Sequence, residues 1–237
     1  MNVVLALGCL LIVLLSAAGI LLRDVIRSKD LQRRGRSLGF SFEAISEAVT
    51  GPELKATSCV QQGCSSVAFN VLTGVANGLE VRVFDVRDER LESPVLTTVA
   101  AFRSSVIEPS AFELGMKSLV RRIADAPELR RACPGQENLL GGFSIHRLTN
   151  DTSMDDLLAS PRLERLRLTM NRYRLSCSPE WFFVYRPGIK IRAKDFSRFL
   201  EETARIAQAL ITCASEVQKI ASGAASGGRS ISRGAGA

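Results

Sequence analysis

The sequence predicts an α+β protein: an N-terminal transmembrane helix followed by an antiparallel sheet covered by helices, the last of them long and amphipathic. Three observations predict it. An unbroken apolar run opens the chain, β-branched segments joined by tight-turn dipeptides fill its middle, and a three-or-four apolar spacing runs through its end. The first reads as a membrane span, the second as an antiparallel meander, and the third as a helix laid on a sheet.

Residues Asn2 to Leu22 (NVVLALGCLLIVLLSAAGILL) contain no charge. At about 1.5 Å per residue such a helix reaches roughly 31 Å, enough for a hydrocarbon core of about 30 Å. The lipid bilayer is therefore the first expected partner, met through residues 2–22. A cleaved signal peptide is the weaker reading. No Lys or Arg precedes the run, and Gly19 to Leu22 continue it past the small residues Ser16, Ala17 and Ala18. Gly8 is followed four residues on by Ile12 and Gly19 by Arg23, so the span offers no small-residue motif for dimerisation.

A basic flank follows over residues 23–37, carrying Arg23, Arg27, Lys29, Arg33, Arg34 and Arg36 against Asp24 and Asp30. It is expected to extend the helix and place positive charge at the headgroups of an inner membrane. Basic residues on this side alone put the amino terminus outside and the following domain in the cytoplasm. The formal charge of +7 resides in this flank and in the tail; between Leu38 and Gln218 basic and acidic side chains balance. A nucleic-acid-binding domain carries its excess charge on the domain itself, so that class is excluded.

A soluble domain is expected over residues 38–220. Leu38 to Val49 reads as a strand followed by a short helix, ended by Gly51-Pro52. Strands follow at Ser66–Val71, Leu79–Val86 and Val95–Arg103, the first two linked through Asn77-Gly78, a strong hairpin signal. Ser110 to Ala124 has helical spacing in Phe112, Met116, Leu119, Val120 and Ile123. A strand at Gly142–Leu148 and a helix over Ser153–Thr169 come next. Tyr173–Cys177 and Trp181–Tyr185 read as paired strands, after which Pro187-Gly188 forms a type II turn and Ile189–Ile191 a short return. From Asp195 the apolar positions Phe196, Phe199, Leu200, Ile206, Ala207, Leu210, Cys213, Val217 and Ile220 mark the long helix. Residues 221–237, rich in Gly, Ser and Ala, are expected to be a disordered tail.

Little in the sequence points to catalysis. The single histidine, His146, falls in a strand with no assignable partner. No phosphate loop, dinucleotide fingerprint, nucleophile elbow or zinc-protease motif occurs. Cys9 lies in the span, and the other five cysteines have irregular spacing; Cys59 and Cys64 are too far apart for a zinc knuckle. Free thiols in a reducing compartment are expected, with no catalytic residue, metal or cofactor. Trp181, Phe183 and Tyr185 share one face of a strand and Phe182 and Val184 the other. That pattern fits a strand buried on both sides; the alternative is an apolar groove lined by Trp181, Phe183 and Tyr185.

The run YRLSCSPEWFFVYRPG (Tyr173 to Gly188) before a long amphipathic helix, with VRVFDVRD (Val81 to Asp88) and TTVAAF (Thr97 to Phe102), resembles a family of uncharacterised bacterial single-pass membrane-anchored proteins. The resemblance implies a strand-helix cytoplasmic domain behind a basic flank, and carries no catalytic residue across. The chain departs from that pattern in its expected helix around Phe112 to Ile123 and in its cysteines. The expected function is a non-enzymatic interaction or scaffold domain at the cytoplasmic membrane face, with a membrane protein as a further partner. The alternative is binding of a lipid or other apolar ligand between the sheet and the C-terminal helix.

Overall fold

The apolar run and the basic flank form one continuous helix, α1 (Asn2–Ser37), with no proline to interrupt it. It is a candidate membrane span with a mean hydropathy of 2.3 in its apolar window, none of which the domain buries. The computed structural model describes residues 2–46, 64–88, 95–104, 112–116, 143–147, 172–177 and 180–227. A Schellman turn ends α1: the Phe40 amide donates to Gly35 O at 2.9 Å and the Gly39 amide to Arg36 O at 3.1 Å. Gly39 sits at φ +81°, which a side chain would strain. The turn delivers the chain directly into the first strand.

Among the described residues eight strands follow: β1 (Ser41–Ser46), β2 (Cys64–Ala76), β3 (Leu79–Asp88), β4 (Val95–Arg103), β5 (Phe112–Met116), β6 (Phe143–Arg147), β7 (Arg174–Cys177) and β8 (Trp181–Tyr185). They form one sheet in the order β1-β2-β3-β4-β8-β7-β5-β6, and every neighbouring pair is antiparallel. The expected meander is present, extended on one side by β1. β2 runs well beyond the expected Ser66–Val71 and turns at Asn77-Gly78, whose φ values of 50° and 79° suit a type I′ hairpin.

One element departs from expectation. Phe112–Met116, expected to open a helix, is strand β5, paired with β6 on one side and β7 on the other. Five residues are too few for spacing to separate the two periods, and Phe112, Leu114 and Met116 also alternate. Two neighbouring strands satisfy its backbone, which outweighs local preference. The rest of that expected helix lies outside the described residues, as do the expected helices after β1 and over Ser153–Thr169.

A 3-10 turn (Ala193–Asp195) leads into α2 (Phe196–Gly227), which runs past the expected end of the domain because Ala221, Ala224 and Ala225 keep favouring helix. α2 lies on the sheet face that carries Val81, Val83, Ala100, Phe102, Phe182 and Val184. The space between is filled: Phe102, Phe182, Phe196, Ile206 and Leu210 are fully buried. Leu31 of α1 and Phe40 join the same core, and Phe40 meets the Phe196 ring edge-on at 6.1 Å. The other face holds a second cluster that includes Phe84, Val99, Trp181, Phe183 and Tyr185. β8 is thus buried on both faces.

Candidate membrane-proximal site

The first feature is a buried ion pair joining α1 to the sheet. Asp85 continues the core-facing series Val81, Val83 on β3, and its side chain is only 1% exposed. Burying a carboxylate is costly unless a cation and further donors surround it. Here Arg27 of α1 forks onto it, with Nη1 at 2.5 Å from Oδ2 and Nη2 at 3.0 Å from Oδ1. The Thr98 hydroxyl donates to Oδ1 at 2.6 Å and the Asn70 amide to Oδ2 at 2.9 Å. Thr98 stands directly opposite Asp85 in the β3–β4 register. Asn70 reaches it from a β-bulge, held at φ +52°, a conformation that Asn tolerates better than most residues.

The same arginine reaches further. Its Nε donates to Ile191 O at 2.8 Å, and the Ile191 amide donates to Thr98 Oγ1 at 3.0 Å. Gly188 N donates to Thr97 Oγ1 and Thr98 N to Ile189 O. The loop 186–192 is therefore pinned to β4 and to α1 together. Its turn is the expected one: Gly188 has φ +70° and the Ile189 amide closes onto Arg186 O at 3.1 Å. Lys190, just past the turn, pairs with Asp24 of α1, and Ile189 beside it is 47% exposed.

The second feature is a cavity of about 310 Å³ behind this loop, lined by Arg172, Tyr173, Arg186, Ile189, Lys190, Ile191, Arg192, Asp195, Arg198, Phe199 and Glu202. Five of these are cationic and two are carboxylates, a formal excess of positive charge, although Lys190 is paired with Asp24, Arg192 with Asp195, and Arg186 and Arg198 with Glu202. Its inner wall is a closed cluster. The Tyr173 hydroxyl donates to Glu202 Oε2 at 2.6 Å, Arg186 Nη2 bridges the two, and Arg198 Nε holds Glu202 Oε1 at 2.8 Å. The Arg186 guanidinium also stacks over the Tyr173 ring at 4.4 Å. Burial, then the bond to Glu202, pushes the Tyr173 hydroxyl well above its ordinary range. Burial alone would raise Glu202, but hydrogen bonds from Tyr173 and Arg198 and the charge of Arg186 outweigh it and hold the carboxyl low. Glu202 thus stays ionised and already neutralised.

The structure sorts the expected flanking cations. Arg23, Lys29, Arg33, Arg34 and Arg36 are exposed, whereas Arg27 turns inward to Asp85. Trp181, Phe183 and Tyr185 lie on the sheet face away from α2, inside a packed cluster. They do not line any space between sheet and helix, and that space is itself filled by core side chains. Asp85, Asn70, Tyr173, Arg186 and Glu202 were not singled out by sequence. Among the described residues no group of His, Cys, Asp and Glu is placed to hold a metal ion.

No protein-family model matches the chain. Among solved structures, its fold is similar to the crystal structure of TtfA, a mycobacterial trehalose monomycolate transport factor. The TM-score is 0.56 at 16% sequence identity, over 81% of this chain and 93% of that one. At that identity the likeness is one of fold.

Proposed function

We propose that the protein is a membrane-anchored, non-enzymatic module that works on lipid or on a lipid-handling partner at the bilayer surface. The observation that carries the reading is the Arg27–Asp85 clamp. It makes anchor and domain one rigid unit, so that one face of the domain is always presented to the membrane. Arg27 lies five residues past Leu22, about 7.5 Å along the helix, and the headgroup layer is about 5–8 Å deep on each side. The loop bound to Arg27, with its exposed Ile189, belongs at that level. The basic flank orients the domain towards the cytoplasm by the positive-inside rule. The fold it shares with a transport factor for a mycobacterial lipid supports a lipid-related role. Because the described side chains between the sheet and α2 are buried against one another, the lipid contact proposed is at the surface and not in the domain interior.

Photoactivatable phospholipids in native membranes test this. Labels are expected both in residues 7–26 and in the 186–192 loop; labelling confined to the anchor would refute it.

A further inference from the structure

Resting on that lipid-surface reading, we infer that the cavity behind the 186–192 loop is a binding site for a phosphoester anion, presented as the headgroup of an anionic phospholipid. The cavity's position, charge and construction all point the same way. Its outer rim is Lys190, whose ammonium pairs with Asp24 only two residues beyond the apolar stretch of α1. The rim therefore faces headgroups and not bulk water. Arg172 is exposed at the cavity and has no acidic partner among the described residues. Guanidinium groups match the paired oxygens of a phosphate, and Arg172 presents one at the cavity.

The carboxylates present do not oppose this. Glu202 is held between Arg186, Arg198 and the Tyr173 hydroxyl, and Asp195 is paired with Arg192. The cavity is at the small end of ligand pockets, which run from about 300 to 1,000 Å³, so it suits a headgroup and not acyl chains. The walls are set in advance, because backbone groups of the loop are tied to Thr97, Thr98 and Arg27. A preformed basic cavity opening at headgroup depth distinguishes this site from the diffuse attraction that the exposed flank arginines supply.

The test uses the full-length chain in neutral detergent micelles, titrated with short-chain phosphatidylglycerol, short-chain phosphatidylcholine and glycerol 3-phosphate. Two charge-matched variants are compared: Arg172→Gln/Lys190→Gln/Arg192→Gln at the cavity and Arg33→Gln/Arg34→Gln/Arg36→Gln on the flank. Phosphatidylglycerol should bind saturably to the wild type and the flank variant alike, and about tenfold or more weakly to the cavity variant. Equal losses in the two variants would show charge attraction without a site and overturn the inference. So would equal binding of phosphatidylcholine. Glycerol 3-phosphate binding as tightly as the lipid would overturn the lipid source and assign the cavity to a soluble phosphoester. If photolabelling of the loop persists in the cavity variant while phosphatidylglycerol affinity is unchanged, the surface-lipid reading stands and this site falls.

Discussion

Replacing Arg27 with methionine removes the guanidinium of the clamp while keeping an unbranched apolar stem in its place. The loss can be worked from the contacts. Asp85 would keep the Thr98 and Asn70 donors but lose both guanidinium bonds and its counter-charge, while the carboxylate stays buried. Breaking a buried pair on one side costs about 3–5 kcal/mol, and the two remaining donors argue for the lower end, about 3 kcal/mol. At about 2–4 °C per kcal/mol for a chain of this size, the midpoint should fall by roughly 6–12 °C. Arg27→Lys should lie between, since one ammonium cannot fork onto Asp85 and also reach Ile191 O. Urea titration of the full-length protein in micelles, followed by far-ultraviolet circular dichroism, measures the loss. The double variant Arg27→Met/Asp85→Leu should recover much of it, because the uncompensated charge is then gone. A loss under about 1 kcal/mol for Arg27→Met, the scale of an exposed pair, would refute the reasoning. A double variant as destabilised as the sum of the singles would refute it equally.

Gly74→Ala places a methyl carbon within 2.8 Å of the Phe40 ring, which is itself wedged against Phe196, so overpacking of about 1–3 kcal/mol is expected in the same titration. Glu202, held below its ordinary value of 4.5, contributes stability at pH above that value and loses it as pH falls through the folded value. The wild type should therefore weaken on acidification below about pH 4.5 more steeply than Glu202→Gln, read from unfolding midpoints across a pH series. Tyr173 has the opposite sense: raised above its ordinary 10.0, its contribution is complete below that pH and is lost as pH rises beyond it. Tyr173→Phe should flatten the alkaline limb.

Where local chemistry decides an element, the sequence was legible. Asn77-Gly78 and Pro187-Gly188 name their own turns, the charge-free run names the apolar part of α1, and the long spacing from Phe196 names α2. Alternation also placed Trp181, Phe183 and Tyr185 together and opposite Phe182. β5 escaped because its strand character comes from β6 and β7, neighbours that no local period reports. The clamp escaped for a related reason. Arg27 looks like its five flank neighbours, and only contact with a residue 58 positions away sets it apart. A signal was nevertheless present: Val81, Val83 and Asp85 share one strand face, and a carboxylate on a core-facing position requires a cation from a covering element. α1 supplies Arg27 one turn before the buried Leu31. The cavity cluster of Tyr173, Arg186 and Glu202 left no such trace, since each member is ordinary in its own element.

On the proposed membrane reading, the clamp sets the orientation of the domain: α1 is one continuous helix tied to the sheet at Arg27, Leu31 and Phe40, with no flexible linker between them. The most direct measurement is the depth of residue 189. A fluorophore on Ile189→Cys, in a full-length chain whose native cysteines are replaced, would be reconstituted in vesicles and exposed to lipid-borne and aqueous quenchers. The clamp predicts quenching by shallow, headgroup-level lipid labels, weakened when Arg27→Met is added. Quenching by the aqueous reagent alone, unchanged by Arg27→Met, would contradict it.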